Sequence, residues 1–289
     1  MRSATTLASR PDFSVTAVSC RDDHTRWSEP EVHDDYRVVL VRRGRFRRRA
    51  SGAAADLDAT TAYVGVPGEE EHFAHPAGGD DCTSVSVTPA LWRAMAGDAA
   101  RPPAAGVYVD ARLDLAHRRL LASARAGDVD FALTEELLGL LATTVTRAVT
   151  SPVPPPGGDT ALVASAREAI TAAHPAADGL LPLAQLLDVS PYRLSRAFTR
   201  ELGVSLTRYR NRVRVARALD RLEQGEPSLA VLAADLGFAD QSHLTRTLRH
   251  HLGRTPRSLR RLLAPAEGGA PAEGAGTAAH GLVKSAQRR

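Results

Sequence analysis

Two rhythms of apolar and polar positions divide this chain. Up to about residue 100 the apolar runs are short and β-branched, and Gly, Pro and Asp clusters separate them. Residues 36–42 (YRVVLVR) form one such run, Gly44 reads as a turn after it, and residues 46–49 begin the return limb. Residues 60–66 and 82–88 are further short strands. This punctuation predicts an antiparallel sandwich or small barrel. The spacing then becomes helical, over 113–126 and 131–149, with Gly127-Asp128 between the two segments. Leu133, Leu137, Leu140, Leu141 and Val145 make one apolar stripe on this αα-hairpin. The stripe closes the internal core or forms a dimer seam. It holds more leucine than a small barrel needs, so the seam is the expectation tested below.

Residues 151–158 (SPVPPPGG) hold four prolines and two glycines, which neither a helix nor a central strand contains. They read as a semi-extended linker. Everything beyond them is helical: 160–173, 183–187, then a helix capped by Ser190 with Pro191 at its first position and running to about Glu201. A long helix spans 206–222 and a short one 228–236. Asp240 caps a helix to about Leu252, and Pro256 opens the last, through Leu263. The Ala/Gly/Pro/Glu-rich stretch after Ala264 reads as a disordered tail.

Composition sharpens this division. At 43% hydrophobic and 24% charged, the 289 residues have the makings of about two packed domains. No apolar run approaches a membrane span of about 18 residues, and the first ten residues lack a signal-peptide core, so a cytoplasmic protein is expected. Two cysteines, Cys20 and Cys82, exclude a disulfide scaffold and a four-cysteine zinc module. All basic side chains but Lys284 are arginine. Residues 1–158 carry 18 arginines against 21 acids, whereas residues 159–263 carry 16 against ten. A basic second half suits a polyanion, the alternative being a solvated surface.

Within that basic half one unit occurs twice, at 183–205 (LAQLLDVSPYRLSRAFTRELGVS) and 229–255 (LAVLAADLGFADQSHLTRTLRHHLGRT). Each has a short apolar helix, a tight turn, a helix carrying Leu-x-Arg, and a closing Gly. This is the helix-turn-helix plan, whose second helix enters the major groove. Tyr192, Ser195 and Arg196 share one face of the first such helix, and Gln241, Ser242, Thr245 and Arg246 one face of the second. Leu194, Phe198, Leu244 and Leu248 point the other way. Arg reads guanine, Gln adenine, and Tyr or Thr the thymine methyl, so these polar faces are assigned to bases. Ser190, Arg193, Arg200, Arg249 and His250 are assigned to phosphates. The alternative for Arg196 and Arg246 is a surface or ion-pair role.

Through SPYRLSRAF (190–198), RVRVARALDRL (212–222) and LGFADQSHLTRTLRHHLGRTPRSLR (236–260), the second half resembles the tandem helix-turn-helix domain of AraC/XylS-type transcription regulators. Asp188 stands where that family usually has Gly, and Leu244 and Leu248 where it is often aromatic. The resemblance implies an α+β chain. Residues 1–150 become a cupin-like β-barrel with a helical hairpin, for sensing and dimerisation. Residues 151–158 are the linker, 159–263 the double helix-turn-helix domain, and 264–289 the tail. It also implies double-stranded promoter DNA, a small-molecule or redox effector, RNA polymerase and a homodimer as partners, an activator role, no membrane, and no enzymatic activity or cofactor.

The front half carries two metal-like patterns. PGEEEH (67–72) resembles the second cupin motif, and His33-Asp34-Asp35 stands where the first would supply a His pair, with Asp35 in place of the second His, so His33, Asp35 and His72 are candidates for a facial triad. Cys20, His24, His72, His75 and Cys82 are donors for zinc or copper if their strands are neighbours, or a redox thiol pair. Core packing is the ordinary fate of free cysteine, and no metal is expected. Trp27, Tyr36, Tyr63 and Trp92 are candidates for an apolar pocket or for the core. The competing functional readings are a metal-dependent cupin enzyme with an accessory helical domain and a sequence-nonspecific architectural protein.

Overall fold

A computed structural model describes residues 1–97, 106–150 and 158–264, with the side chains of 149 and 150 left out. The linker up to residue 157 and the tail after Ala264 lie outside the described residues. The front half is an antiparallel sheet of β1 (Arg2–Arg10), β2 (Phe13–Cys20), β3 (Tyr36–Ala50), β4 (Ala53–Asp58), β5 (Thr61–Gly65), β6 (Glu71–Ala74), β7 (Asp80–Val87) and β8 (Val107–Tyr108). Its order is β1-β2-β7-β3-β5-β8, and β4 and β6 pair with the far half of β3. The helices are α1 (Pro89–Ala96), α2 (Ala111–Ala126), α3 (Thr134–Thr150), α4 (Thr160–Thr171), α5 (Leu180–Leu186), α6 (Pro191–Leu202), α7 (Leu206–Glu223), α8 (Leu229–Asp235), α9 (Gln241–Leu252) and α10 (Pro256–Leu263). The fold is α+β, a sheet with helices followed by an all-helical half. Among the described residues no helix is long and apolar enough to cross a membrane.

The hairpin expected at Gly44 does not form. β3 runs through it as one 15-residue strand with a bulge between Val41 and Arg43. Gly44 has φ +72°, and a Cβ there would stand 2.2 Å from the Gly79 carbonyl oxygen. The glycine is needed for close approach, not for reversal. The chain turns later, at Ser51-Gly52, both at positive φ. α5 starts at Leu180, before the expected 183, because Pro182 sits in the first turn, where no intrahelical donor is lost.

Alternation along β3 sorts two cores. Val38 and Leu40 face the helices, while Val39 and Val41 face the concave side with Phe46, Leu57 and Tyr63. The leucine stripe belongs to the first of these. Leu133, Leu137, Leu140, Leu141 and Val145 are all buried within the single chain, against Val38, Leu40 and Val85 of the sheet. The dimer seam expected on this stripe is therefore excluded: the sheet's convex face already covers it. Tyr36 and Trp92 join this core, stacked at 4.5 Å.

The helical half holds two more cores, bridged by α7. Leu206, Tyr209 and Val213 pack with α4–α6, and Val215, Ala218, Leu219 and Leu222 with α8–α10. Ala111 and Leu115 of α2 enter the second of these cores, so the two halves share apolar contact.

His117, on the buried face of α2, gives the fold a pH dependence. Burial pushes its pKa down to about 3, and the charges of Arg42 and Arg118 add to this against Asp114. The ring is neutral when folded but takes up a proton near pH 6.5 when unfolded. Its contribution is complete above that pH and is lost as pH falls toward 3, by about 1.4 kcal/mol per unit. Urea unfolding at pH 7 and pH 5 should differ by about 2 kcal/mol from this group alone. The His117→Gln chain should lose that part of the difference, and an unchanged slope would refute the assignment.

Candidate nucleic-acid interface and front-half cavity

The two helix-turn-helix units repeat their backbone geometry. In the first turn Asp188 takes φ +52°, with its N–H donating to Gln185 O and Val189 N–H to Ala184 O. In the second, Gly237 takes φ +68°, with its N–H donating to Ala234 O and Phe238 N–H to Ala233 O. Asp188 thus meets the left-handed demand that Gly meets in the second unit. Ser190 caps α6 by accepting from Arg193 N–H, and Asp240 caps α9 by accepting from His243 N–H at 2.6 Å. Both helices end on a left-handed glycine, Gly203 and Gly253.

This scaffold presents the faces expected from the sequence. Leu194, Phe198, Leu244 and Leu248 are fully buried. Tyr192, Arg196, Gln241, Ser242 and Arg246 are exposed, and Ser195 and Thr245 are half-buried beside them. Arg196 lies over the Tyr192 ring at 5.8 Å. Among the described residues neither Arg196 nor Arg246 forms an ion pair with a carboxylate. Arg249 and His250 are exposed at the end of α9.

The phosphate candidates carry a surprise. Arg193 and Arg200 both hold Asp159, at 3.0 and 2.5 Å, and these side-chain hydrogen bonds keep that carboxyl below its ordinary pKa. A phosphate bound by these arginines competes with Asp159 for their Nη2 groups. Nothing in the sequence marked this acid, which lies far from both arginines along the chain.

Not all of the basic surplus faces outward. Arg212 is buried and donates to Val109 O at 2.7 Å and Ala59 O at 3.0 Å. Arg167 pairs with Asp58 at 2.7 Å, and Arg118 of α2 meets Asp220 at 2.8 Å and Glu223 at 3.0 Å. These side chains fasten the front half to α4 and α7.

The concave side of the sheet borders a cavity of about 180 Å³ that opens to solvent. The facial triad does not assemble there. His72 alternates to the opposite face from Glu71 and Phe73, its Nδ1 2.9 Å from Ser28 O. His33 faces Glu31 at 3.6 Å. Glu71 of the PGEEEH motif is buried and paired with Arg37 and, at 2.5 Å, with Arg48, so its charge is already met. Of the four aromatic candidates Tyr63 lines the cavity, whereas Trp27 lies under Arg47 and Arg49. Cys20, His24, His75 and Cys82 all line it. The donor atoms that converge are those of Cys20, His75 and Asp80, within 4.8 Å of one another. Asp80 was missed in the sequence, although the period of two places it on the same strand face as Cys82.

A family model described as a helix-turn-helix domain matches residues 183–262, which span both repeated units. Residues 183–262 are a helix-turn-helix domain of the AraC/XylS type. Over 67 residues the chain is 34% identical to the HTH-type transcriptional activator RhaS of Pectobacterium carotovorum subsp. carotovorum and, equally, of Pectobacterium atrosepticum. The match covers 23% of this chain and 24% of each RhaS, so the chain spans about a quarter of the length of these curated relatives. Among solved structures, the C-terminal domain of AraT, a response regulator from Geobacillus stearothermophilus, is 26% identical. It covers 40% of this chain and 98% of its own, at a TM-score of 0.36. ToxT from Vibrio cholerae O395 is 11% identical over 88% of this chain and 99% of its own, also at 0.36.

Proposed function

We propose that this chain is a sequence-specific DNA-binding transcription regulator. The observation that carries the reading is the repeated helix-turn-helix geometry on one long helix, with two exposed polar faces bearing Arg196 and Arg246. The domain at 159–263 binds double-stranded promoter DNA over two major-groove segments about one helical turn apart. Tyr192, Ser195, Arg196, Gln241, Ser242, Thr245 and Arg246 read bases, and Ser190, Arg193, Arg200, Arg249 and His250 hold phosphates. The front half, 1–150, responds to a small-molecule or redox effector, which the cavity beside its strands supports. The similarity to RhaS supports activation, with RNA polymerase as partner, and no reaction is assigned to the chain. A homodimer in the cytoplasm belongs to the same reading. It uses a face other than the leucine stripe, and the exposed Phe131 and Leu138 of the hairpin are the apolar residues that support one.

The test is selection of the bound sequence from random DNA, followed by anisotropy titrations. Arg196→Ala and Arg246→Ala should each cost about 1–3 kcal/mol on the selected site and relax preference at one position. Arg249→Ala should weaken binding to all sequences alike and reduce the salt slope by about one ion. Equal losses on selected and random DNA for the first two variants would favour the architectural reading instead.

A further inference from the structure

The end of the cavity where β2 meets β7 is built unlike its surroundings. Cys20, the last residue of β2, stands opposite Asp80, the first of β7, and Val18 opposite Cys82. The pleat therefore puts Cys20, Asp80 and Cys82 on one face, and all three line the cavity. His75 arrives from the other side. Its backbone exchanges two 3.0 Å hydrogen bonds with His24, and its Nδ1 lies 2.8 Å from an Asp80 oxygen. The turn between His75 and Asp80 is pressed onto the end of β2. Gly79 has φ +93°, and a Cβ there would stand 2.2 Å from Cys20 O. Only glycine permits that approach.

Charge supplies a second, independent observation. Two carboxylates are buried in the strands, Glu71 of β6 and Asp80 of β7, and Asp80 lines the cavity. Glu71 is met by two guanidinium groups, Arg37 and Arg48. Asp80, 3% exposed, has no such partner among the described residues. Its contacts are the His75 ring and the Cys82 thiol. Arg2, whose charge acts on both thiols, is engaged by Glu31 at 2.7 Å. A cation at this point would complete for Asp80 what the arginines do for Glu71.

We propose that Cys20, His75, Asp80 and Cys82 form a binding site for a thiophilic divalent cation, zinc above all. Thiolate, imidazole and carboxylate bind zinc at about 2.3, 2.0–2.1 and 2.0–2.2 Å. In a tetrahedron such bonds set the donors roughly 3.3–3.8 Å apart; the Cys20, His75 and Asp80 donors already lie within 4.8 Å of one another, and Cys82, on the same strand face, supplies the fourth. Sulfur and nitrogen donors exclude magnesium and calcium. His24, edge-on to the His75 ring at 5.9 Å, is an outer neighbour and not a ligand. Burial and Asp80 raise the Cys20 thiol, and burial with the Asp80 hydrogen bond pushes Cys82 up to about 12. Asp81 works in the same direction, against Arg2, Arg21 and the terminal amine. Thiol ligands give up their protons to a metal, so its entry expels protons. The ion would tie β2, β7 and the 75–80 turn together.

The full chain, reduced and stripped with chelator, is titrated with cobalt as the probe and then with zinc against a chromophoric chelator. One equivalent per chain is expected, with a thiolate-to-cobalt charge-transfer band and the intense visible bands of a tetrahedral site, both abolished by zinc. Cys20→Ser and His75→Gln should weaken zinc by more than about 100-fold, beyond what loss of an outer partner causes. His24→Gln should retain one equivalent. The cobalt spectrum of the unaltered chain decides the matter even if a variant fails to fold: no charge-transfer band overturns the proposal. So does a folded Cys20→Ser chain that binds like the parent. A reduced chain that takes up no zinc but forms a Cys20–Cys82 disulfide on oxidation overturns it too.

Discussion

Leu137→Glu should unfold the front half instead of yielding a folded monomer. Leu137 is fully buried in the core that joins α3 to the convex face of the sheet, among Leu133, Leu140 and Leu141. Truncating such a leucine alone costs about 2–5 kcal/mol. A carboxylate placed there finds no cation in that apolar cluster, and forcing it to be buried, charged or neutral, adds several kcal/mol more. Domain stabilities are only about 5–15 kcal/mol, so the sum consumes most or all of the available margin. Thermal melting followed by near-ultraviolet circular dichroism should show the cooperative transition lost or greatly lowered. Ala142→Glu is the control: the residue is exposed on the same helix, and the change should stay within about 0.5 kcal/mol. A Leu137→Glu chain with the parent's melting temperature would return the stripe to the surface and revive it as a seam between copies.

The stripe shows what the sequence can and cannot convey. Spacing identified Leu133, Leu137, Leu140, Leu141 and Val145 as one face. It did not say what covers that face, because the covering residues, Val38, Leu40 and Val85, lie about 50–100 positions away. The helical half was far more legible. Its caps, turns and closing glycines act within a few residues, so Ser190, Asp188, Gly203, Asp240 and Gly253 could each be placed from local chemistry. Its buried and exposed faces follow from a period of 3.6. β3 was misread for a related reason: Gly44 resembles a turn locally, and the contact that explains it is with Gly79, on another strand. The cation-binding cluster was half visible. The cysteines and histidines stood out by type, but the pairing register that sets Asp80 opposite Cys20, and His72 on the other face, is a tertiary fact. Net charge had the same limit. It counted Arg212 and Arg167 toward a polyanion, while the fold turns both onto the front half.

Asp114→Ala should destabilise the whole chain by about 3–5 kcal/mol, because it leaves buried guanidinium groups without their shared carboxylate. Asp114 sits one turn into α2, bonded by Arg118 Nε at 3.0 Å and facing Arg212 Nη1 of α7 at 3.1 Å. The second contact is a pairing of charges and not an aligned hydrogen bond. Burial alone would raise the Asp114 pKa, and the charges of Arg212 and Arg118 overcome it and hold the group below its ordinary value. The stability it lends is therefore present above about pH 4 and is lost as pH falls through the depressed pKa. The two arginines are not equally exposed to the loss. Arg118 retains Asp220 and Glu223, whereas among the described residues Arg212 retains the carbonyls of Val109 and Ala59. Arg212→Met should accordingly cost less than Asp114→Ala, since Asp114 then keeps Arg118 and the methionine fills the space with apolar contact. Because α7 carries both helix-turn-helix units, this joint is also where the front half grips the DNA-reading half. Hydrogen exchange should show α7 amides around Arg212 opening sooner in Asp114→Ala, together with those of α2. Urea unfolding that ranks Arg212→Met as the more damaging change would mean that the backbone carbonyls, and not the carboxylate, hold this joint.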